Sequence, residues 1–325
     1  MANSKKTGVD YIRAIAASGS FLAASEALHV TQPAISQYIG KIERENGIQL
    51  FNRNVRPVTL TSEGRYYLKV EEEIEELRRR RRRYFEDLGG EAAGELRIGT
   101  NQCRTSTVLS EVLGDYAKRC PGVTLKIIEC GMREMDRRML AGELDFTITL
   151  EALLTPQMAY RTLLDENILI AFPPGDPMGE RARKHKEEGG KGYLPFSFQE
   201  AENSQFILLN RGLKFHDYFD RLCEKYRVKP RVLMQTDSVT TVLELVTKGV
   251  GCGMVPDSLV HYRKPEPEPA LYSLQHEFPT NRVVAAWNRD LYLTRAARIF
   301  IEMLAEKHRP LNTDPETGPK NERPA

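Results

Sequence analysis

A chain of 325 residues, 41% hydrophobic and 28% charged with a formal net charge of +2, exceeds what one hydrophobic core normally serves, so two or three domains are expected. It holds no run of about 18 apolar residues, which excludes a membrane-spanning helix, and its composition excludes collagen-like, disulfide-scaffold and wholly disordered chains. Met1 to Lys6 lead into a polar helix without the apolar core of a secretory signal, so a cytoplasmic location is expected. The five cysteines (Cys103, Cys120, Cys130, Cys223, Cys252) include no CxxC and no paired histidine set. Neither zinc nor a disulfide framework has support, and no cofactor is expected. A redox pair of Cys120 and Cys130 is the alternative to isolated buried thiols, the commoner use.

Tyr11, Ile12 and Ile15 lie at helical spacing, and Ser18-Gly19-Ser20 stops that helix and caps the next. From Phe21 to Leu28 the residues Phe21, Ala24 and Leu28 share a face, with small residues between. The connection His29-Val30 leads to Thr31, a good N-cap, after which Ile35, Ile39 and Ile42 form a buried stripe. Two short helices with a tight connection, the first alanine-rich so that the second crosses it closely, read as a helix-turn-helix. The exposed side of the later helix carries Gln32, Ser36, Gln37 and Lys41. Glutamine pairs both ways with an adenine edge and serine serves several bases. Pro33 is harmless in a first turn, and Thr31 with the helix amino terminus can approach a phosphate. Leu50 to Leu60 then reads as a short hairpin, a wing bearing Arg53 and Arg56 as phosphate contacts. Taken alone, polar residues on one helix face equally fit a merely solvated surface.

The run Ser20-Phe21-x-x-Ala24-x-x-x-Leu28-x-x-Thr31-Gln32-Pro33-Ala34-Ile35-Ser36-x-x-Ile39-x-x-Ile42-Glu43 resembles the LysR-type transcriptional regulators. So does its continuation Gly47-x-x-Leu50-Phe51-x-Arg53-x-x-Arg56-x-x-x-Leu60-Thr61-x-x-Gly64. Departures are mild: Ser25 stands where the family usually has a second alanine, and Asn46 precedes the Gly47 turn. The resemblance implies double-stranded DNA as a partner. It places Gln32, Pro33 and Ser36 at base-facing positions and Arg53 and Arg56 at backbone-facing ones, and Ser20, Thr31, Gln37 and Lys41 complete the expected set.

Residues 66–90 read as one charged helix. Tyr67, Val70, Ile74, Leu77, Arg81, Tyr84 and Leu88 keep the 3-4 spacing of a coiled-coil seam with one charged intruder. Glu71, Glu72, Glu73, Glu75 and Glu76 precede an unbroken run from Arg78 to Arg83, so antiparallel self-pairing sets each acidic half against the partner's basic half. A solvated single helix, or an arginine run used on nucleic acid, are the alternatives. LysR-type proteins join two subunits through this helix, which implies a homodimer and, by family expectation, a tetramer.

From 91 to 308 strand-like and helix-like blocks alternate. Strands are expected at Leu96–Gly99, Val123–Glu129, Leu144–Leu150, Ile168–Phe172, Phe206–Leu209, Arg231–Gln235, Gly251–Val255 and Arg282–Trp287. Helices are expected at Thr107–Arg119, Glu134–Ala141, Lys214–Tyr226, Ser238–Lys248 and Thr294–Lys307. Alternation implies parallel sheets with right-handed crossovers, here in two α/β lobes, with 173–200 as an excursion between them. Residues 309–325, with Pro310, Pro315, Pro319 and Pro324, read as a disordered tail. The whole is an α/β chain: a winged helix-turn-helix at 1–65, a linker helix at 66–90, and at 91–308 a domain that resembles the LysR-type effector domain, itself like type 2 periplasmic solute-binding proteins. Leu96-x-Ile98-Gly99 and Gly249-x-Gly251-x-Gly253-x-x-Pro256 carry that second likeness.

In such sheets ligands bind where strand ends and helix amino termini converge. Thr100-Asn101-Gln102 follows the first strand, Thr149 closes the third, Asn210-Arg211 follows another, and Thr236-Asp237-Ser238 opens a helix. Hydroxyls, free helix amides and one guanidinium suit a small anionic effector, although the same residue types serve as plain caps. The resemblance puts Thr100, Gln102 and Thr149 foremost, and Asp237 reads as a cap. The run Gly249 to Gly253 ends a helix and enters a strand, the reverse of a phosphate loop. Six scattered histidines, with no GxSxG or HExxH, give no catalytic constellation. A transport solute-binding protein would leave the DNA-reading head unexplained. The expected function is ligand-responsive transcription regulation.

Overall fold

The computed structural model describes residues 8–89, 92–189 and 192–308. Residues 309–325, where a disordered tail is expected, and Gly90, at the expected end of the linker helix, lie outside them. The chain divides into two compact units, Met1–Phe85 and Glu86–Ala325.

In the first unit α1 (Gly8–Ser18), α2 (Phe21–Ala27) and α3 (Gln32–Asn46) precede a two-stranded wing, β1 (Phe51–Asn52) and β2 (Thr59–Leu60), and all but the last two residues of the long α4 (Ser62–Asp87). Gly19 (φ 65°) takes the left-handed turn between α1 and α2, and Gly47 (φ 66°) ends α3, conformations costly for a residue with a Cβ. Ile12, Ile15, Ala24, Ile35, Ile39 and Ile42 meet Leu50 and Phe51 in one core. The wing is antiparallel, Phe51 opposite Leu60. α4 can start against it because Gly64 has no side chain: a Cβ there would lie 2.1 Å from the Leu50 carbonyl oxygen.

The second unit has two lobes. The first lobe begins with β3 (Ala93–Thr100), α5 (Gln102–Arg104), a π-helical turn over Thr105–Leu109 and α6 (Ser110–Arg119). It continues with β4 (Gly122–Glu129), α7 (Met132–Ala141), β5 (Phe146–Leu150) and β6 (Met158–Glu166). The chain then crosses to the second lobe, which holds β7 (Ile168–Phe172), α8 (Pro177–Glu187), β8 (Leu194–Pro195), β9 (Gln205–Leu209) and α9 (Lys214–Tyr226). β10 (Arg231–Thr236), α10 (Val239–Thr247), β11 (Gly253–Pro256), α11 (Asp257–Arg263) and β12 (Ala270–Ser273) complete that lobe, and β13 (Asn281–Asn288) and α12 (Arg295–Lys307) return to the first. The first-lobe sheet has the order β4-β3-β5-β13-β6; the second lobe has β11-β7-β12-β8 and β10-β9, linked by a bridge between Phe206 and Cys252.

Three expectations are corrected. The sheets are mixed rather than parallel: β13 runs antiparallel to β5 and β6, and β11 and β12 antiparallel to β7. Two crossings between the lobes bring β13 back into the first sheet from the far side, a reversal that helix-strand alternation does not record. The described residues of 173–200 do not lie between the lobes. They belong to the second lobe, where β8 pairs with β12 and the segment walls a cavity of about 680 Å³. Strands β6, β8 and β12 were not expected; β6 is an edge strand whose outward Arg161 and Asp165 dilute its apolar pattern, and β8 has only two residues.

The glycine run behaves as a helix stop followed by close packing. Gly249 (φ 82°) follows α10, and a Cβ on Gly251 would meet the Gln205 carbonyl oxygen at 2.6 Å.

Candidate DNA interface and effector crevice

The isoleucine stripe buries one side of α3 and so fixes which side chains face out. Gln32, Gln37 and Lys41 are exposed and Ser36 half-buried. Gln32 Nε2 donates to Ser36 Oγ at 3.3 Å, so these two already act as one polar edge. Pro33 sits in the first turn, and Thr31 occupies the N-cap position with no side-chain capping bond, contrary to its expected use. Lys41 lies 3.7 Å from Glu45 at the surface. Ser20 caps α2 by accepting from the Ala23 amide, an internal task.

The two wing arginines differ. Arg53 Nη2 is 2.8 Å from Glu43 Oε2, and its guanidinium lies 5.1 Å from the centre of the Phe21 ring. Glu43 Oε1 in turn accepts the Leu50 amide at 2.9 Å. Arg53 therefore ties the wing to α2 and α3. Arg56, at the hairpin tip, is exposed.

On α4, Tyr67, Val70 and Ile74 are half-buried, whereas Leu77, and Leu88 just past the helix end, remain 60% and 65% exposed. The charge blocks are not wholly available to a partner, because Glu76 takes Arg79, Arg80 and Arg83 within its own helix.

The crevice is built from strand ends. Thr100 closes β3 and is fully buried. Asn101 caps the helical segment that opens at Gln102, its Oδ1 accepting the Arg104 amide at 2.9 Å, so this helix begins ahead of the expected Thr107. Ser238 caps α10 and Thr236 Oγ1 accepts the Ser238 amide at 3.3 Å. Ser238 Oγ also donates to Gln102 Oε1 at 3.4 Å, from one lobe to the other. Asp237 is not the cap; it accepts from Asn210 Nδ2 at 2.6 Å. Gln102, Thr236 and Asn210 are thus drawn together, with exposed Arg211 next in the chain. Thr149 is buried and donates to Met132 Sδ at 3.6 Å, apart from that network.

Three polar clusters at the lobe junction escaped sequence reasoning. Arg104 Nη2 donates to Glu166 Oε1 at 2.7 Å, its Nη1 to Oε2, and Ser258 Oγ donates to the same carboxylate. Burial alone would push the Glu166 carboxyl up, but the Arg104 guanidinium and its hydrogen bonds hold it below the usual carboxylate range. His308 Nε2 donates to the Val108 carbonyl at 3.1 Å, so Nδ1 is the acceptor for Tyr262 Oη at 2.6 Å. Lys214 Nζ donates to Asn281 Oδ1 at 2.6 Å. The nearest sequence signal was charge at a strand end, Glu166, and at a helix start, Lys214; neither reveals its partner. Burial pushes up the thiols of Cys103, Cys130, Cys223 and Cys252, the last to about 12, which disfavours the thiolate. Among the described residues no group of three or more His, Cys, Asp or Glu is placed to hold a metal ion, and no helix is long and apolar enough to cross a membrane.

The chain matches the family model described as bacterial regulatory helix-turn-helix protein, lysR family, over residues 8–65. It matches the LysR substrate binding domain over residues 89–309. It is 26% identical over 307 residues to the uncharacterized HTH-type transcriptional regulator YcgK of Bacillus subtilis (strain 168), covering 92% of this chain and 93% of that protein. Among solved structures, full-length CbnR complexed with its target DNA has a TM-score of 0.65 at 20% identity, covering 92% of this chain and 98% of that one. A full-length OxyR variant from Pseudomonas aeruginosa has a TM-score of 0.60 at 21% identity, covering 93% and 96%. Likeness at such identity is one of fold. The chain belongs to the LysR family: it is a DNA-binding transcriptional regulator with a substrate-binding effector domain, and not an enzyme.

Proposed function

We propose that this regulator binds a small anionic effector in the crevice between its lobes, and that occupancy alters how a homodimer or tetramer grips DNA. The observation that carries the effector reading is the meeting of two helix amino termini, through Ser238 Oγ and Gln102 Oε1. First-turn amides have no intrahelical acceptor and form the positive end of the helix dipole, so a carboxylate between them is met from both lobes. Thr100, Asn101, Gln102, Asn210, Arg211 and Thr236 form the proposed lining, with Thr149 as a member on the neighbouring strand. Replacing Gln102 and Ser238 together by Ala should abolish the response of a promoter reporter to its inducer while operator affinity is retained. An unchanged response would remove the crevice from consideration.

The proposed division is 1–65 for reading DNA, 66–90 for dimerisation and 91–308 for the effector. CbnR, of like fold, was solved with its target DNA, which supports double-stranded DNA as the partner of Gln32, Pro33, Ser36, Gln37, Lys41 and Arg56. A protein that works on genomic DNA operates in the cytoplasm of a bacterial cell. Exposed Leu77 and Leu88, along α4 and at its end, support self-association, the burial of such side chains being its main driving term.

A further inference from the structure

Lys214 is the first residue of α9, thirteen residues long, whose N-cap position is occupied by Leu213 with no side-chain cap. Of the first-turn amides, His216 N–H donates to the Leu213 carbonyl at 2.9 Å, which leaves Lys214 and Phe215 N–H open at this helix end. Lys214 is half-buried as a residue, and its ammonium donates to Asn281 Oδ1 at 2.6 Å and sits 5.2 Å from the centre of the Tyr218 ring. Among the described residues no carboxylate lies within ion-pair distance of it; the nearby Glu166 is taken up by Arg104 and Ser258. Asn281 is more than nine-tenths buried, and its Nδ2 has no acceptor. The amide cannot be turned over to relieve this, since that would set two donors against each other. A lysine with no carboxylate in ion-pair contact, although its charge acts on Glu166, an orphaned amide donor and a helix end with two open amides therefore share one corner of the lobe junction.

From this cluster we infer that Lys214 is the anchor for a carboxylate group of the effector, and that Asn281 is a positioning residue that holds the ammonium in place. The corner belongs to the proposed crevice: β9 and β10 are parallel with Leu209 opposite Thr236, so α9 and α10 both start from the same sheet edge. The inference rests on the anionic reading of that crevice and adds its charged residue, which hydroxyls and amides alone do not supply. It also reaches both lobes, because Lys214 belongs to the second and Asn281 to β13 of the first. A carboxylate seated on Lys214 thus loads the contact between them.

The test uses the full chain and its single tryptophan, Trp287, which lies on β13 with Asn281. Tryptophan fluorescence and thermal shift are followed while sodium benzoate, succinate or acetate is added at constant ionic strength, with benzamide as the uncharged counterpart of benzoate. At least one carboxylate should perturb the wild type where benzamide does not. Lys214→Met should weaken that response by about 10–100-fold, the span for deleting one charge-assisted hydrogen bond, and Lys214→Arg should restore part of it. Asn281→Asp keeps the side-chain shape and the brace but supplies Lys214 with an internal carboxylate, so the folded variant should lose the response as well. Were Lys214 only a brace, Asn281→Asp would respond like the wild type. That result, with Ser238→Ala still losing the response, overturns the inference and leaves the crevice reading standing. Silence of the wild type toward all three carboxylates overturns both.

Discussion

Gln32 and Arg53 stand in one contiguous motif yet have different duties. Gln32 belongs to an exposed polar pair with Ser36, so Gln32→Ala should lower discrimination between operator and altered sites by about 1–3 kcal/mol. Arg53 is engaged by Glu43 and Phe21, so Arg53→Ala should destabilise the amino-terminal unit by about 1 kcal/mol in thermal unfolding. Arg56→Ala should instead leave stability unchanged and reduce the slope of log affinity against log salt by about one. Equal salt slopes for Arg56→Ala and the wild type would contradict the phosphate role. His308 gives a pH signature. Burial lowers its pKa from the ordinary 6.5 despite the bond to Val108, with Glu111 and Lys307 nearby acting in opposite senses. The unfolded chain therefore takes up the proton first: the His308 contribution is complete above 6.5 and declines as pH falls toward the folded pKa. Chemical denaturation from about pH 8 to about pH 5 should show this decline, and His308→Gln should flatten it.

At the scale of elements, legibility followed locality. The bounds of α9 agree with expectation because one strong apolar stripe sets both ends, and Thr294 and Ser238 cap their helices through their own side chains. The segment after β3 was misplaced because the π-helical turn breaks the 3.6-residue period on which the expectation relied. That turn places Val108 to bond His308, and Arg104 just ahead of it reaches Glu166. Removing one member of a buried ion pair leaves the other uncompensated. Arg104→Met should accordingly destabilise the effector domain by about 3–5 kcal/mol, whereas the double change with Glu166→Met should recover most of the loss. Urea titrations of both variants decide this; a double variant as weak as the single one would mean that the ion pair is not the source of the effect.

For the whole molecule the consequence lies in assembly. The apolar seam of α4 is exposed at Leu77 and, past the helix end, at Leu88, but Glu76 already engages Arg79, Arg80 and Arg83 inside the helix. In the antiparallel pairing proposed for α4, charge complementarity should therefore be weaker than the sequence blocks suggest, and the seam's apolar side chains should dominate. Leu77→Glu combined with Leu88→Glu should convert the protein to monomers by sedimentation velocity and lower operator affinity, since two linked readers gain effective concentration. Lys-to-Glu charge reversals elsewhere on the surface should not do so.

The sequence by itself determined the amino-terminal reader and the two-lobed class of the remainder. The reader's helices, turn glycines and isoleucine stripe follow one another in sequence, so periodicity and the family motif expose it, although its core also joins residues as far apart as Ile12 and Phe51. Tertiary structure alone decided the mixed sheets, the place of 173–200 and the lobe junction. Arg104 meets Glu166 across 62 residues and Lys214 meets Asn281 across 67, and such pairs leave no local pattern. Whether a charged side chain is solvated or buried against a distant partner depends on how the chain closes on itself, and that is a property of the fold rather than of any segment in it.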